Sequence, residues 1–379
     1  MRARAIAFYL PQYHPVEEND KYWGKGFTEW TNVARAKPLF RGHEQPNIPA
    51  DLGFYDLRLP QVRKQQAELA KEAGIEGFCY WHYRFGKGKR VLDMPFREVL
   101  QSGEPDFPFC LGWANHHWTT KTWEKGKSTQ KDAMIFEQTY NGDDDYTEYF
   151  YEVLPAFQDK RYIRVEGKPL FVIYSPDDIP DAAHFIELWN CLAVENGLDG
   201  VYFIGYYDAL PDMKLSDVKR MDSLIAPRYE KVLAQGFDGI LTATLKYAEF
   251  KSRSVLYKAI RSLARKYFGG MLDKYHYDDI VKNFYTKENY QPGIYPQLIP
   301  KRDRSPRSGK KAIIYYGSTP KGFEKAVENA IACVENRDPE HRLIFINAWN
   351  EWGEGAYLEP DLRYGHGYID ALRRVLDKE

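Results

Sequence analysis

Two glutamates stand three residues apart in the segment Asn347-Ala-Trp-Asn-Glu-Trp-Gly-Glu-Gly355, among tryptophans and glycines. A close pair of carboxyls suits work at an anomeric carbon. At a separation of about 5 Å one serves as acid and base while the other assists attack, which gives retention. Positions three apart on a straight strand face opposite ways, so Glu351 and Glu354 share a cavity only if the chain turns between them, as Gly353 permits. An ionised carboxylate also tends to keep its neighbour protonated, which poises one of the two as the acid. Trp349 and Trp352 offer flat faces to a sugar's C–H surface, and Asn350 offers paired donor and acceptor contacts to hydroxyls. The bland alternative is that the glutamates cap the final helix or form loop salt bridges; their neighbours favour carbohydrate chemistry.

Further candidates crowd the ends of the other apolar runs. Tyr13 and His14 follow the first run, Tyr80, Trp81, His82 and Tyr83 end the second, and Trp113, Asn115, His116, His117 and Trp118 end the third, with Tyr229 further on. Of these, Tyr13, His14, Tyr80, His82, Trp113, Asn115, His116, Trp118 and Tyr229 join Trp349, Asn350 and Trp352 as candidate sugar contacts. The histidines raise the idea of a metal hydrolase. Adjacent His116 and His117 on extended backbone point to opposite faces, however, so at most one enters a pocket, and no metal or other cofactor is expected. The sequence carries no glycine-rich phosphate loop and no serine nucleophile elbow.

Eight apolar runs bounded by turn residues are the strands that must hold these groups. They are Ile6 to Leu10, Ile75 to Tyr83, Phe107 to Ala114, Pro169 to Ser175, Val201 to Tyr207, Ser223 to Tyr229, Ala312 to Gly317 and Arg342 to Trp349. Their near-continuous apolar character fits parallel strands covered on both faces. Helix-like stretches such as Leu59 to Ala73 and Asp181 to Asn196 alternate with them and stop just before Gly74 and Gly197. No dinucleotide fingerprint follows the first strand, so the pattern predicts an α/β fold, a (β/α)8 TIM barrel, as a single domain over residues 1–379. Pro11 to Arg58 and Glu230 to Lys311 are too long for minimal units. They are expected as βα-loop insertions after strands one and six, on the face where barrel active sites form. Within the second insertion, residues 230–311, Phe250 to Phe268 reads as a basic amphipathic helix. It either packs on the barrel or touches the anionic lipid of a lipid-linked glycan peripherally.

Composition narrows the partners. Lys and Arg number 53 against 54 for Asp and Glu, so no global field draws nucleic acid or an anionic membrane. No stretch reaches the roughly 18 apolar residues of a membrane span. The apolar run after Arg4 is too short for a secretory signal, and the expected address is cytoplasmic. Cys79, Cys110, Cys191 and Cys333 lie far apart and are expected as small core residues rather than zinc ligands or disulfides.

The chain resembles the WbsX-type proteins of polysaccharide biosynthesis, which are related to the endo-mannosidases of glycoside hydrolase family 99. The resemblance spans nearly the whole chain and rests on Ala7-Phe-Tyr-Leu-Pro-Gln-Tyr-His-Pro15, Trp23-Gly-Lys-Gly-Phe-Thr-Glu-Trp-Thr-Asn-Val33, Asp51-Leu-Gly-Phe-Tyr-Asp-Leu-Arg58 and Asn350-Glu-Trp-Gly-Glu-Gly-Ala-Tyr-Leu-Glu-Pro360. It implies that Glu351 deprotonates a sugar 2-hydroxyl to form an epoxide-like intermediate, that Glu354 is the acid and base, and that Glu29, Trp30, Asn115 and Glu359 line the sugar site. Two segments depart from the family pattern. Trp113-Ala-Asn-His-His-Trp118 places His116 where the family has Glu, and Arg302-Asp-Arg-Ser-Pro-Arg307 places Arg302 and Arg304 where it has Trp and Asn. Those arginines either meet an acidic sugar or phosphate or belong to a solvated loop. The expected activity is therefore a retaining glycoside hydrolase or transglycosylase acting on an oligo- or polysaccharide. The alternatives are a glycosyltransferase of surface polysaccharide (O-antigen or capsule) synthesis and an inactive carbohydrate-binding barrel.

Overall fold

The computed structural model describes residues 1–120, 134–207, 220–242, 244–254, 257, 263 and 272–378. Eight parallel strands form a closed ring in chain order. They are β1 (Arg4–Tyr9), β2 (Gly77–Arg84), β3 (Phe109–Trp113), β4 (Lys168–Ile173), β5 (Tyr202–Tyr207), β6 (Gly239–Thr242), β7 (Ile294–Leu298) and β8 (Leu343–Ile346). Closure comes from β1, which pairs with β2 on one side and β8 on the other. This is the expected TIM barrel.

Both faces of the strands are covered, which is why their sequences read as unbroken apolar runs. Inside, Phe8 stacks on Trp81 with ring centroids 4.4 Å apart and meets Phe345. Outside, the fully buried Trp189 of the helix Ala182–Glu195 packs on Tyr149, Phe171 and Phe185; burying one such side chain contributes roughly 2–3 kcal/mol. The helix Pro60–Glu72 shows how sequence sets an element's limits. Pro60 starts it where no intrahelical N–H is needed, Val62, Gln66, Leu69 and Ala70 recur at helical spacing as buried residues, and Gly74 at φ 78° stops it.

Two strands lie elsewhere than the sequence pattern suggested. Ser223 to Tyr229 is not a strand: the helix Ile225–Leu233 occupies it, and Ile225, Tyr229 and Val232 are its buried stripe. The true sixth and seventh strands fall inside the span expected as an insertion. β6 is only four residues long, and β7 contains Pro296, which argues against a central strand. It is accommodated because its missing N–H falls where the ladder to β6 ends at Thr242, before the ladder to β8 begins at Gln297. The run expected as strand seven does form a strand, Ile313–Tyr316, but it pairs with Asp273–His276 and Arg302–Asp303 in a separate small sheet.

Long segments follow β1, β6 and β7. Most of the expected basic helix Phe250 to Phe268, including Leu256, Lys258, Ile260, Arg261, Arg265 and Lys266, lies outside the described residues. Among the described residues no helix is long and apolar enough to cross a membrane. Cys79, Cys110 and Cys333 are buried, whereas Cys191 is exposed on its helix and is no core residue.

Candidate active site

Beyond β8 the chain doubles back. Asn350–Glu351 pairs antiparallel with Ala356–Tyr357 across a 3-10 turn over Trp352–Glu354. Residues three apart eclipse in such a turn, so Glu351 and Glu354 come to one side. Gly353 matters through its size: a Cβ there would overlap Glu29 Oε1. Gly355 closes the turn at φ 59°, where a Cβ would also lie 2.8 Å from the Asp303 backbone.

Three carboxyls converge on one cation. Arg307 Nη1 donates to Glu351 Oε1 at 3.0 Å and to Glu354 Oε1 at 2.7 Å, and its Nε donates to Glu29 Oε1 at 2.9 Å. Sharing one nitrogen, the bonded Oε1 atoms of Glu351 and Glu354 cannot separate by more than the two bonds together, which is within reach of the about 5–5.5 Å spacing of retaining pairs. Arg304 Nη2 lies 2.9 Å from Glu354 Oε1, and Arg302 Nη2 lies 3.6 Å from Glu354 Oε2. The side chains of Glu351 and Glu354 keep 17% and 13% of their exposure, so the pair reaches solvent, whereas Glu29 is fully buried. No local pattern marks Glu29 as part of a site; only the family resemblance pointed to it. Arg302 and Arg304 are thus no solvated loop but one wall of the carboxylate cluster.

The two carboxyls are pushed apart electrostatically. Burial, then the charge of Glu354, lifts Glu351 to about 7 against the pull of Arg307. Burial also acts upward on Glu354, but Arg304, Arg307 and Arg302 together override it and hold that carboxyl down at about 2. The pair loses its protons in two separated steps, Glu354 first.

Many expected sugar contacts prove to be the scaffold behind this pair. Tyr13 donates to the carbonyl of Asn350 and accepts from the backbone N–H of Trp352 at 3.0 Å. The Asn350 amide is spent on both backbone groups of Leu10, at 2.7 and 3.0 Å. Glu359 does not line the site. It is buried, accepts from Trp352 Nε1 and Gln66 Nε2 at 2.6 Å each and from Tyr55 at 2.9 Å, and is pushed up to about 7, chiefly by burial. Trp352 lies between Tyr357 and Trp30, and Trp349 packs on Phe78; Trp349 and Trp352 have no exposure, and Trp30 almost none.

Strand parity corrects others. Tyr80 and His82 face the helices: Tyr80 packs on Phe96 and Phe109, while His82 bonds Tyr149 at 2.9 Å. Trp113 faces outward as well, against Tyr149 and Phe185. Asn115 splices the end of β3 to both backbone groups of Ser175, at 2.7 and 2.8 Å. Tyr229 sits on a helix beside Tyr207, and His14 is buried under the charges of Asp56 and Arg58 rather than beside the pair.

Alternation along β2 instead sends Trp81 and Tyr83 inward. With Tyr174 and Tyr206 they form a half-buried aromatic wall: Trp81 meets Tyr174 at 5.5 Å, and Tyr174 stacks on Tyr206 at 5.1 Å. The charges of Glu351 and Glu354 act on Tyr174, and that of Glu351 on Tyr83. His116 joins this wall at 5.0 Å from Tyr174, and Trp118 stacks on Tyr83. His117 turns away to accept from the Gln138 N–H. Among the described residues no group of three or more His, Cys, Asp or Glu is placed to hold a metal ion.

A family model described as glycosyltransferase WbsX matches residues 5–372. The uncharacterized protein WxcX of Xanthomonas campestris pv. campestris strain B100 is 34% identical over 380 residues, covering 99% of this chain and 50% of that protein. Its counterpart in strain ATCC 33913 shows the same identity and coverage. The chain therefore spans about half the length of the curated relatives it matches. Among solved structures, a glycoside hydrolase-like protein aligns with a TM-score of 0.60 at 14% identity, over 100% of this chain and 94% of that one. The GH99 endo-alpha-mannosidase from Bacteroides thetaiotaomicron, in complex with bis-tris-propane, aligns with a TM-score of 0.53 at 16% identity, over 99% and 96%. At these identities the structural likeness speaks for the barrel fold. The match along nearly the entire sequence settles the kinship: the chain belongs to the WbsX glycosyltransferase family, a family of carbohydrate-active proteins.

Proposed function

We propose that this chain cleaves or transfers a glycosyl group with retention, with Glu351 and Glu354 as the reactive pair and an oligo- or polysaccharide as substrate. The observation that carries this reading is their shared bond to one Arg307 nitrogen, in surroundings that raise the Glu351 carboxyl to about 7 and hold that of Glu354 down at about 2. A proton donor beside a base is the division of labour retaining chemistry needs. Around the pair, Trp81, Tyr174 and Tyr206 supply the aromatic faces first sought in Trp349 and Trp352.

The family 99 resemblance gives Glu351 the 2-hydroxyl and Glu354 the leaving oxygen. Glu351 then takes the 2-hydroxyl proton as that oxygen closes on the anomeric carbon, and Glu354 protonates the departing oxygen. Water or a sugar hydroxyl opens the resulting ring, giving its proton to Glu354 while Glu351 returns its own. Below about pH 7 the charges run the other way, with the proton on Glu351 and the negative charge on Glu354. The two carboxyls compete for that proton, so a substrate that loosens the arginines from Glu354 both arms the acid and frees the base.

Glu351→Gln and Glu354→Gln are each expected to lower turnover by about 10²–10⁴ while ligand binding persists. A glycan panel with product mass analysis, run with and without nucleotide sugars, names the acceptor. Shortened glycans mark hydrolysis; extension with nucleotide release marks transfer, the second reading, which the family's description as a glycosyltransferase favours. Sugar binding with no turnover in any variant would refute the catalytic reading and leave a binding barrel.

A further inference from the structure

Arg302 is nine-tenths buried at the barrel mouth, yet among the described residues its guanidinium makes no hydrogen bond. Its ion pair to Glu354 Oε2 is 3.6 Å long, and its Nε is buried with no partner. The Nε of Arg304 is likewise buried and unpartnered, although its Nη2 meets Glu354. Leaving a buried donor unpaired is costly, more so for a charged group, so two neighbouring guanidiniums with unpartnered buried donors mark a place suited to an acceptor. The wall beside them is the one a sugar ring would use: the charge of Arg302 acts on Tyr206 and that of Arg304 on Tyr174. Glu249, the other carboxyl near Arg302, already accepts from Tyr315 at 2.8 Å.

We propose that Arg302 and Arg304 form an anion subsite next to the Glu351–Glu354 pair, so that the sugar accepted there carries a carboxylate or phosphate group. Planar guanidiniums match both groups through parallel hydrogen bonds. An arriving anion draws Arg302 and Arg304 off Glu354, which then takes up the proton it needs as the acid; this last step alone rests on the catalytic reading above.

Calorimetric titration of the intact chain with methyl glucuronide, glucose 1-phosphate, methyl glucoside and inorganic phosphate tests the subsite. At least one anionic sugar is expected to bind at least about tenfold more tightly than the neutral glucoside, and salt should weaken that preference. A glucuronide preference identifies a carboxylate in the glycan; a sugar phosphate preference identifies a donor or carrier phosphate. Arg304→Gln, at a partly exposed position that can change without unfolding the chain, should abolish most of the preference, and Arg302→Gln should do the same where circular dichroism shows a native fold. Equal affinity for charged and neutral sugars overturns the proposal. So does no binding of either anionic sugar, inorganic phosphate binding as tightly as the sugar phosphate, or a preference that survives in folded Arg304→Gln. Turnover of neutral glycans without anion preference would refute the subsite and spare the catalytic reading. Anion preference without turnover of any glycan would do the reverse.

Discussion

Glu351→Gln and Glu354→Gln are expected to change stability in opposite directions, although the two residues share one turn. The carboxyl of Glu351 rises from 4.5 to about 7 on folding, so between those values the folded chain holds a proton that the unfolded chain has lost. Stability therefore falls as pH rises through that window, and the full penalty applies above it. At about 1.4 kcal/mol per pH unit the penalty at pH 8 is on the order of 3 kcal/mol. Glutamine keeps the shape and still accepts from Arg307, but it has no charge to bury. Glu351→Gln should be more stable than wild type at pH 8 and equal to it near pH 4.5. Glu354 moves the other way, from 4.5 down to about 2, held by Arg304, Arg307 and Arg302 against burial. Its ionisation stabilises the fold above pH 4.5, and that stabilisation is lost as pH falls toward 2. Glu354→Gln should cost on the order of 3 kcal/mol at pH 7, a cost that fades in acid.

The assay is urea unfolding followed by tryptophan fluorescence for wild type and both variants between pH 4.5 and 8. Slopes should stay constant, so that midpoint shifts report stability alone. If Glu351→Gln is less stable than wild type at pH 8, or if its advantage persists unchanged at pH 4.5, the protonated state assigned to Glu351 is wrong. Losses of similar size in both variants at every pH would mean that the arginines do not distinguish the two carboxyls.

Other expectations follow from the same geometry. Burial, with Arg90 and Arg84 adding to it, depresses His82 from 6.5 to about 3; the unfolded chain then binds a proton that the folded chain refuses, and stability falls as pH drops below 6.5. His82→Gln, able to keep a bond to Tyr149, should therefore lose about 3 kcal/mol less than wild type between pH 6.5 and 4 in the same unfolding assay. Trp81→Ala should weaken glycan binding about tenfold and also lower the melting temperature through its lost stack on Phe8, whereas Trp349→Ala should lower the melting temperature alone by removing a fully buried ring; comparable affinity losses in both would show that the sugar wall is misplaced. Gly353→Ala should destabilise the chain by at least about 1–3 kcal/mol, because the added methyl overlaps Glu29, and thermal melting checks it.

The barrel was legible in the sequence because its strands are buried on both faces and its helices carry their own stop residues. Ile225, Tyr229 and Val232 show where that reading failed: a short apolar run flanking a proline scores as a strand, and only the spacing beyond Tyr229 reveals the helical stripe. The pair Glu351 and Glu354 was legible because glycines and tryptophans frame it. Its surroundings were less so, since an end-of-strand rule selects neighbours without regard to which way each points. On β2 it favoured Tyr80 and His82 over Trp81 and Tyr83. A usable sign existed, for Trp81 stands in register with Gly112, where a Cβ would come within 3.0 Å of the Trp81 ring. Large against small on neighbouring strands marks the crowded interior, and hence the parity of the strand. Arg307 carried no such mark. Its partners are 278, 44 and 47 residues away, and no local pattern encodes a contact of that kind.

That distance bears on how the site forms. Glu29 arrives with the loop after β1, Arg307 with the loop after β7, and Glu351 and Glu354 with the turn after β8. Each charge alone would cost several kcal/mol to bury, and their mutual attraction offsets this only when all are in place. Arg307 cannot dock without its carboxylates, and Glu29 cannot enter without Arg307. The three loops must therefore close together, so Glu351 and Glu354 acquire their unequal charge states only in the completed barrel. The split between Glu351 and Glu354 is in this sense a property of the tertiary fold. The asymmetry resides in Arg302 and Arg304, which reach Glu354, whereas among the described residues Glu351 pairs with Arg307 alone. Substitution at those two arginines can therefore retune the pair without touching either glutamate.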